Sequence, residues 1–340
     1  MDRHHHRHRQ WLESRSCIKT ETGPPHRGSP SDQPPHQQET LSVILRSESL
    51  KTARTDTLEI AFFQSGPEDG WPVILSHGFP YDIHAYVKVA PILTAAGARV
   101  IVPFLRGFGP TRFLSGQKMR SGQQAALGGD VIGLLDALGI EKAILAGFDW
   151  GGLASCVATA LWPDRVAGLV SYAGYDVIDV ERQRHVMWYQ HLFQSEKGRE
   201  CLRENRRELC RMLWSPWSPH WPFDEDTFER TAASFDNPDF VDVVIHSYRF
   251  NFGLERGDSV LEPLEQRLAE KPKIAVPAVT LDGTHDPLKP GGTAAHADMF
   301  INYHEHRAIE CGHALPFEAP KAFADAVLAL HNREQPSWCG

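Results

Sequence analysis

Gly147-Phe148-Asp149-Trp150-Gly151-Gly152 is the stretch whose reading decides the fold. Ahead of it, Ala143-Ile144-Leu145-Ala146 is a short apolar run of the kind buried in a parallel sheet, and residues 153–162 behind it read as a packed helix. A residue held between strand and helix in so tight a turn is pushed out over the sheet edge and needs small neighbours. Asp149 therefore occupies a nucleophile's position. A carboxylate there points to attack on an electrophilic carbon, with an ester formed to the protein.

On either side of this turn, short apolar runs alternate with helical stretches, the signature of a mostly parallel sheet flanked by helices on both faces. Residues 58–63, 73–75, 100–104 and 166–173 read as strands, and 123–138 as a helix ending near Gly139. Further strands are expected at 274–281 and 307–311, with a last helix at 321–331. The intervening segment, about 176–268, is charged and helical in pattern and holds Trp188, Trp214, Trp217 and Trp221. The layout expected is thus an α/β core over 51–175, a helical lid over 176–268 and the rest of the core over 269–335. Residues 1–50, rich in His, Arg, Gln, Pro and Ser, are expected to be a disordered tail. Its run His4-His5-His6-Arg7-His8-Arg9 is assigned neither a metal nor a catalytic role.

With 35 Lys and Arg against 43 Asp and Glu, the chain of 340 residues has a net charge of -8 and no general basic field to attract nucleic acid or an anionic membrane. Its six cysteines lack paired metal-ligand spacing, which favours a reducing compartment. No run approaches the ~20 apolar residues of a membrane span, and no apolar signal core follows the first methionine. A cytoplasmic protein is the expectation. The sequence is compatible with a homodimer.

Three further motifs fall at expected strand ends, where an open parallel sheet builds its site. In His77-Gly78-Phe79-Pro80 a tight turn can present the Phe79 N–H beside the Trp150 N–H as an oxyanion hole. His77, Pro80, Trp150 and Trp188 are candidates for the pocket wall. Leu281-Asp282-Gly283-Thr284-His285-Asp286 supplies a second acid, Asp286 being favoured over Asp282 because it lies further into the loop. Glu310-Cys311-Gly312-His313 supplies the base, ahead of His285, His304 and His306, because a glycine precedes His313 and a proline-punctuated helix start follows. The order acid nucleophile, second acid, histidine is that of a hydrolase triad.

Taken together, these residues resemble the α/β-hydrolase superfamily, and HGFP, GFDWGG, a late Asp and GHALP are similar to the motifs of epoxide hydrolases. The resemblance implies a small apolar epoxide and water as substrates, no metal or organic cofactor, and two tyrosines in the lid that donate to the epoxide oxygen. The matching positions are Tyr189 in Trp188-Tyr189-Gln190-His191 and Tyr248 in His246-Ser247-Tyr248-Arg249. Haloalkane dehalogenases share the Asp-Trp pair, but often carry Asn after His-Gly, where Phe79 stands here. A non-catalytic receptor on the same scaffold is the third reading. The chain departs from the family's usual pattern at Phe104, where an acidic residue is common before the Leu-Arg-Gly loop.

Overall fold

The computed structural model describes residues 50–178 and 187–334. Expectations for the tail, including residues 4–9, lie outside them. Among the described residues nine strands form one sheet: β1 (Lys51–Arg54), β2 (Leu58–Ser65), β3 (Trp71–Ser76), β4 (Ala98–Pro103), β5 (Arg112–Phe113), β6 (Ala143–Gly147), β7 (Val166–Tyr172), β8 (Ala278–Gly283) and β9 (His304–Ile309). Their order is β1-β2-β4-β3-β6-β7-β8-β9, with β5 paired to β2. The pairs from β4 across to β9 are parallel, and the β1, β2 and β5 pairings antiparallel. The central strands are apolar on both faces because helices cover both: every residue of β6 is buried.

Helices α1 (Val89–Ala95), α2 (Gln124–Ala137), α3 (Trp150–Leu161), α10 (Leu315–Glu318) and α11 (Pro320–Glu334) belong to the flanking layers, while α4 (Trp188–Phe193), α5 (Glu196–Glu204), α6 (Arg206–Trp217), α7 (Glu225–Ala232), α8 (Phe240–Asn251) and α9 (Glu262–Ala269) lie in the segment between β7 and β8. Among the described residues that segment contains no strand. It is bound to the sheet ends at several points. The Ser234 hydroxyl donates to the buried Asp82 carboxylate at 2.5 Å, and the Trp214 indole donates to the Pro80 carbonyl at 3.0 Å.

Several boundaries differ from expectation, β9 among them at His304–Ile309 where 307–311 was expected, and two differ for identifiable reasons. Helix α3 begins at Trp150, three residues before Leu153, because the Asp149 side chain accepts from the Trp150 N–H and caps the first turn, outweighing the poor helix propensity of Gly151 and Gly152. The strand expected from residue 274 begins instead at Ala278, since Pro277 has no N–H for the ladder. Ile274 makes only an isolated bridge to Phe300. Among the described residues no helix is long and apolar enough to cross a membrane.

Candidate active site

Asp149 follows β6 with φ 52° and ψ -128°, a conformation that costs of order 1–3 kcal/mol for a residue with a side chain. The turn leaves no room for substitution around it. A Cβ on Gly151 would lie 1.9 Å from the Ser76 carbonyl oxygen, and one on Gly78 would lie 2.4 Å from the Asp149 Cβ. Both contacts come from the chain reversal after β3, so the two turns interlock. The side chain of Phe79, fully buried, stacks on Trp150 with centroids 5.6 Å apart and meets Tyr248 edge-on at 5.7 Å. Burying such a ring contributes roughly 1.5–3 kcal/mol, comparable with the strain at Asp149, and it fixes where the Phe79 N–H points.

That N–H donates to Asp149 Oδ1 at 2.7 Å, and the Trp150 N–H donates to the same oxygen at 2.7 Å. The second carboxylate oxygen, Oδ2, lies 3.2 Å from His313 Nε2. The other ring nitrogen of His313 lies 2.9 Å from Asp286 Oδ2. Asp149, His313 and Asp286 come from the ends of β6, β9 and β8 and form one hydrogen-bonded chain. Burial pushes the His313 imidazole down, but the Asp286 charge, its hydrogen bonds with Asp149 and Asp286, and the Asp149 charge outweigh it and raise the pKa to about 10. Burial acts upward on Asp286, yet His313 and hydrogen bonds from His313, Leu288 and Tyr172 hold its carboxyl below the ordinary value.

Tyr172, at the end of β7, is a contributor that sequence reasoning missed: its hydroxyl lies 2.8 Å from Asp286 Oδ2 and 3.0 Å from the Gly312 carbonyl. A tyrosine ending a buried strand carries no signal of this, because its partners come from two other strands. The histidine loop is also gripped by the end of α6 and by Glu318 of α10. His313 N–H donates to the Trp217 carbonyl at 2.9 Å, the Ala314 N–H to Ser218 Oγ at 3.0 Å, and the Gly312 N–H to Glu318 Oε2 at 2.9 Å. The competing residues are engaged elsewhere. Asp282 accepts from Thr293 and pairs with His306, His304 bonds Thr280, and His285 packs on His220.

A cavity of about 610 Å³ opens over this chain of groups, within the range of small-molecule sites. Asp149, Trp150, His313, Tyr189 and Tyr248 all line it. The two phenol rings meet edge-to-face with centroids 5.5 Å apart, and the Gln190 amide donates to the Tyr189 hydroxyl at 3.3 Å. Burial raises both phenols above their ordinary pKa, reinforced for Tyr189 by the charge of Asp149 and for Tyr248 by Tyr189 and then Asp149. Both are neutral hydrogen-bond donors at neutral pH.

Three expected wall residues are not in the wall. Trp188 is 52 % exposed, because neighbouring positions on a helix point about 100° apart and Tyr189 is the one that faces inward. His77 is fully buried behind the turn: its Nε2 accepts from the Leu105 N–H at 3.1 Å, so Nδ1 carries the proton and faces the Gly78 carbonyl. Burial lowers its pKa to about 4, which keeps it a neutral brace. Pro80 is buried as well, with its carbonyl held by Trp214. Phe104 packs its ring against Gly109, where a Cβ would lie 2.4 Å away, so an apolar contact occupies the position where an acid is common. Among the described residues no group of three or more His, Cys, Asp or Glu is arranged to hold a metal ion.

Comparison with known proteins agrees with this architecture. Residues 72–320 match the family described as alpha/beta hydrolase fold. Epoxide hydrolase B of Mycobacterium tuberculosis is 37% identical over 123 residues, 35% of this chain and 34% of that protein. A haloalkane dehalogenase from Psychrobacter cryohalolentis is 38% identical over 110 residues, 32% of this chain and 36% of that protein. The chain thus spans about a third of the length of these curated relatives. Among solved structures, a proposed epoxide hydrolase from Klebsiella pneumoniae is 41% identical with a TM-score of 0.82, covering 84% of this chain and 98% of that one. Another from Pseudomonas aeruginosa, at 20% identity and TM-score 0.71 over 84% of this chain and 95% of that one, shares the fold. With its mostly parallel sheet, its strained strand-to-helix turn at Asp149 after β6 and this family match over most of its length, the chain belongs to the α/β-hydrolase fold family.

Proposed function

We propose that the protein hydrolyses an epoxide to a vicinal diol through an ester on Asp149. The observation that carries this reading is the unequal environment of the two Asp149 oxygens beneath a pair of neutral phenols. Oδ1 accepts two backbone N–H bonds, which favours its becoming the ester carbonyl oxygen, while Oδ2 is the one left to attack a ring carbon. Ring opening converts the epoxide oxygen to an alkoxide, a stronger base than phenolate. Tyr189 and Tyr248 donate to it as it forms, and one of them supplies the proton. The proton that His313 holds in the free protein replaces the one the tyrosine gave up and leaves a neutral imidazole. His313 then takes a proton from water attacking the ester carbonyl and passes it to the departing glycol oxygen. Meanwhile Asp286 stabilises the imidazolium, the Phe79 and Trp150 N–H groups hold the tetrahedral oxyanion, and the proton of the new Asp149 carboxyl returns to His313. Oδ2 leaves as part of the diol, and the water oxygen stays on Asp149.

The test follows from that exchange. With enzyme in excess over epoxide in heavy-oxygen water, a single turnover is expected to give unlabelled diol and a labelled Asp149 peptide by mass spectrometry. Labelled diol with unlabelled protein means direct attack by water and removes Asp149 from the role given to it.

Changing either tyrosine to phenylalanine is expected to slow ring opening about 100-fold, the scale of losing one donor at a developing oxyanion. The double change should slow it further, and wild-type single-turnover alkylation in that variant would count against the epoxide reading. Halide release from haloalkanes belongs in the same panel, because the P. cryohalolentis relative is named for dehalogenation. Against that reading stands Phe79, a buried hydrocarbon ring with no N–H to hold a departing halide.

A further inference from the structure

The cavity is polar away from the nucleophile. Asp176, beyond β7, and Lys289, beyond β8, both line it, with Lys289 Nζ 3.5 Å from Asp176 Oδ1: an ion pair, but longer than a good hydrogen bond. His296 lines the same wall. Its Nδ1 accepts from the Tyr175 N–H at 3.1 Å, which leaves the proton on Nε2. Burial lowers its pKa and keeps it neutral. On the lid side, Asn251 lies one turn beyond Tyr248 on α8, so it shares that residue's face. It is buried and lines the cavity, yet its side-chain carbonyl oxygen has no hydrogen-bond partner. None of these groups takes part in the chemistry assigned to Asp149, His313 and Asp286. A plain hydrocarbon tail would cover them and satisfy none of them.

We propose that the substrate is an epoxide carrying an uncharged hydroxyl remote from the ring, received by Lys289, Asp176 and Asn251. This inference rests on the epoxide reading above. A hydroxyl both donates and accepts: it can donate to Asn251 Oδ1 or Asp176 and accept from Lys289 Nζ. A carboxylate tail fits less well, because Asp176 already neutralises Lys289, and the Asp149 and Asp286 carboxylates share one ion-paired histidine, His313, among the described residues. An ammonium tail would face Lys289. The expectation of an apolar substrate is thereby narrowed to one with an apolar body and a polar end.

The test uses three terminal epoxides of equal chain length ending in a methyl, a hydroxymethyl or a carboxylate group, compared by kcat/KM. The hydroxyl compound is expected to exceed the methyl compound by about 10- to 100-fold, the scale of one hydrogen bond to a charged group, and to exceed the carboxylate as well. In the Lys289→Met/Asp176→Asn double variant, which removes the pair without stranding a buried charge, and separately in Asn251→Leu, the hydroxyl-to-methyl ratio should fall toward one. A ratio is read, so partial loss of folded protein cancels. Equal kcat/KM for methyl and hydroxyl compounds in the native protein, or a ratio that both variants leave unchanged, overturns the polar subsite while leaving epoxide hydrolysis standing. Diol from none of the three overturns the epoxide reading and this inference with it.

Discussion

Asp149→Asn is expected to lower diol formation on the order of 10⁶-fold, the loss seen when a triad nucleophile is removed, with the fold intact. Asparagine is the informative replacement because its carbonyl can still accept from the Phe79 and Trp150 N–H groups, so the two donors are not stranded. What disappears is the anionic Oδ2. The amide would face His313 Nε2 in its place, and the strained turn at φ 52° is retained. Asp149→Ala should be equally inactive but less stable, since both donors lose their partner. Initial rates on freshly purified protein, read beside thermal unfolding, separate the two effects. Near-wild-type initial turnover in the Asn variant would refute the nucleophile. Slow recovery during storage would not, because His313 and the oxyanion donors are positioned to deamidate the new side chain back to the acid.

How much of this could be read from the residues alone varied with how local each signal was. The turn at Asp149 was legible because steric demand writes itself into adjacent positions: at Gly147 and Gly151 a Cβ would strike backbone, and at Gly152 it would be crowded by the Tyr172 carbonyl at 3.1 Å. The alternating strands and helices likewise carry their own period, and the α/β-hydrolase fold follows from them. Side-chain direction within the helical segment between β7 and β8 was not legible. Trp188 and Tyr189 are neighbours of similar chemistry, and which of them faces the cavity depends on how α4 is rotated by its packing. Tyr172, Lys289, Asp176 and Asn251 were invisible for a different reason. Each looks ordinary at its own position, and they line one cavity only because β7, β8 and α8 converge on it. The early start of α3 came from a cap, Asp149, that is also the proposed nucleophile, so local propensity gave way to the demands of the turn.

His313→Gln should separate the two half-reactions. In the free protein His313 lies between two carboxylates, and it holds a proton up to about pH 10 against the opposing effect of burial. Esterification removes the Asp149 charge and weakens that hydrogen bond, so one influence holding the proton on vanishes, another fades, and the pKa falls. Product of the first step thus creates the base for the second. Ring opening needs no such base and should be affected little by the substitution, whereas ester hydrolysis should slow by about 10²- to 10⁴-fold. The alkyl-enzyme should then accumulate and appear in acid-quenched protein as a substrate-sized mass on the peptide holding Asp149. For the native protein the sign of the pH dependence follows: the rate of ester hydrolysis should rise with pH through the lowered His313 pKa, with a midpoint below 10, and level off above it. That rise should be absent from ring opening and from hydrolysis in the Gln variant. Quenched variant that carries no adduct, with an epoxide the native protein does turn over, would sink the covalent scheme. Native ester hydrolysis that does not change with pH would leave that scheme in place and take the role of base away from His313.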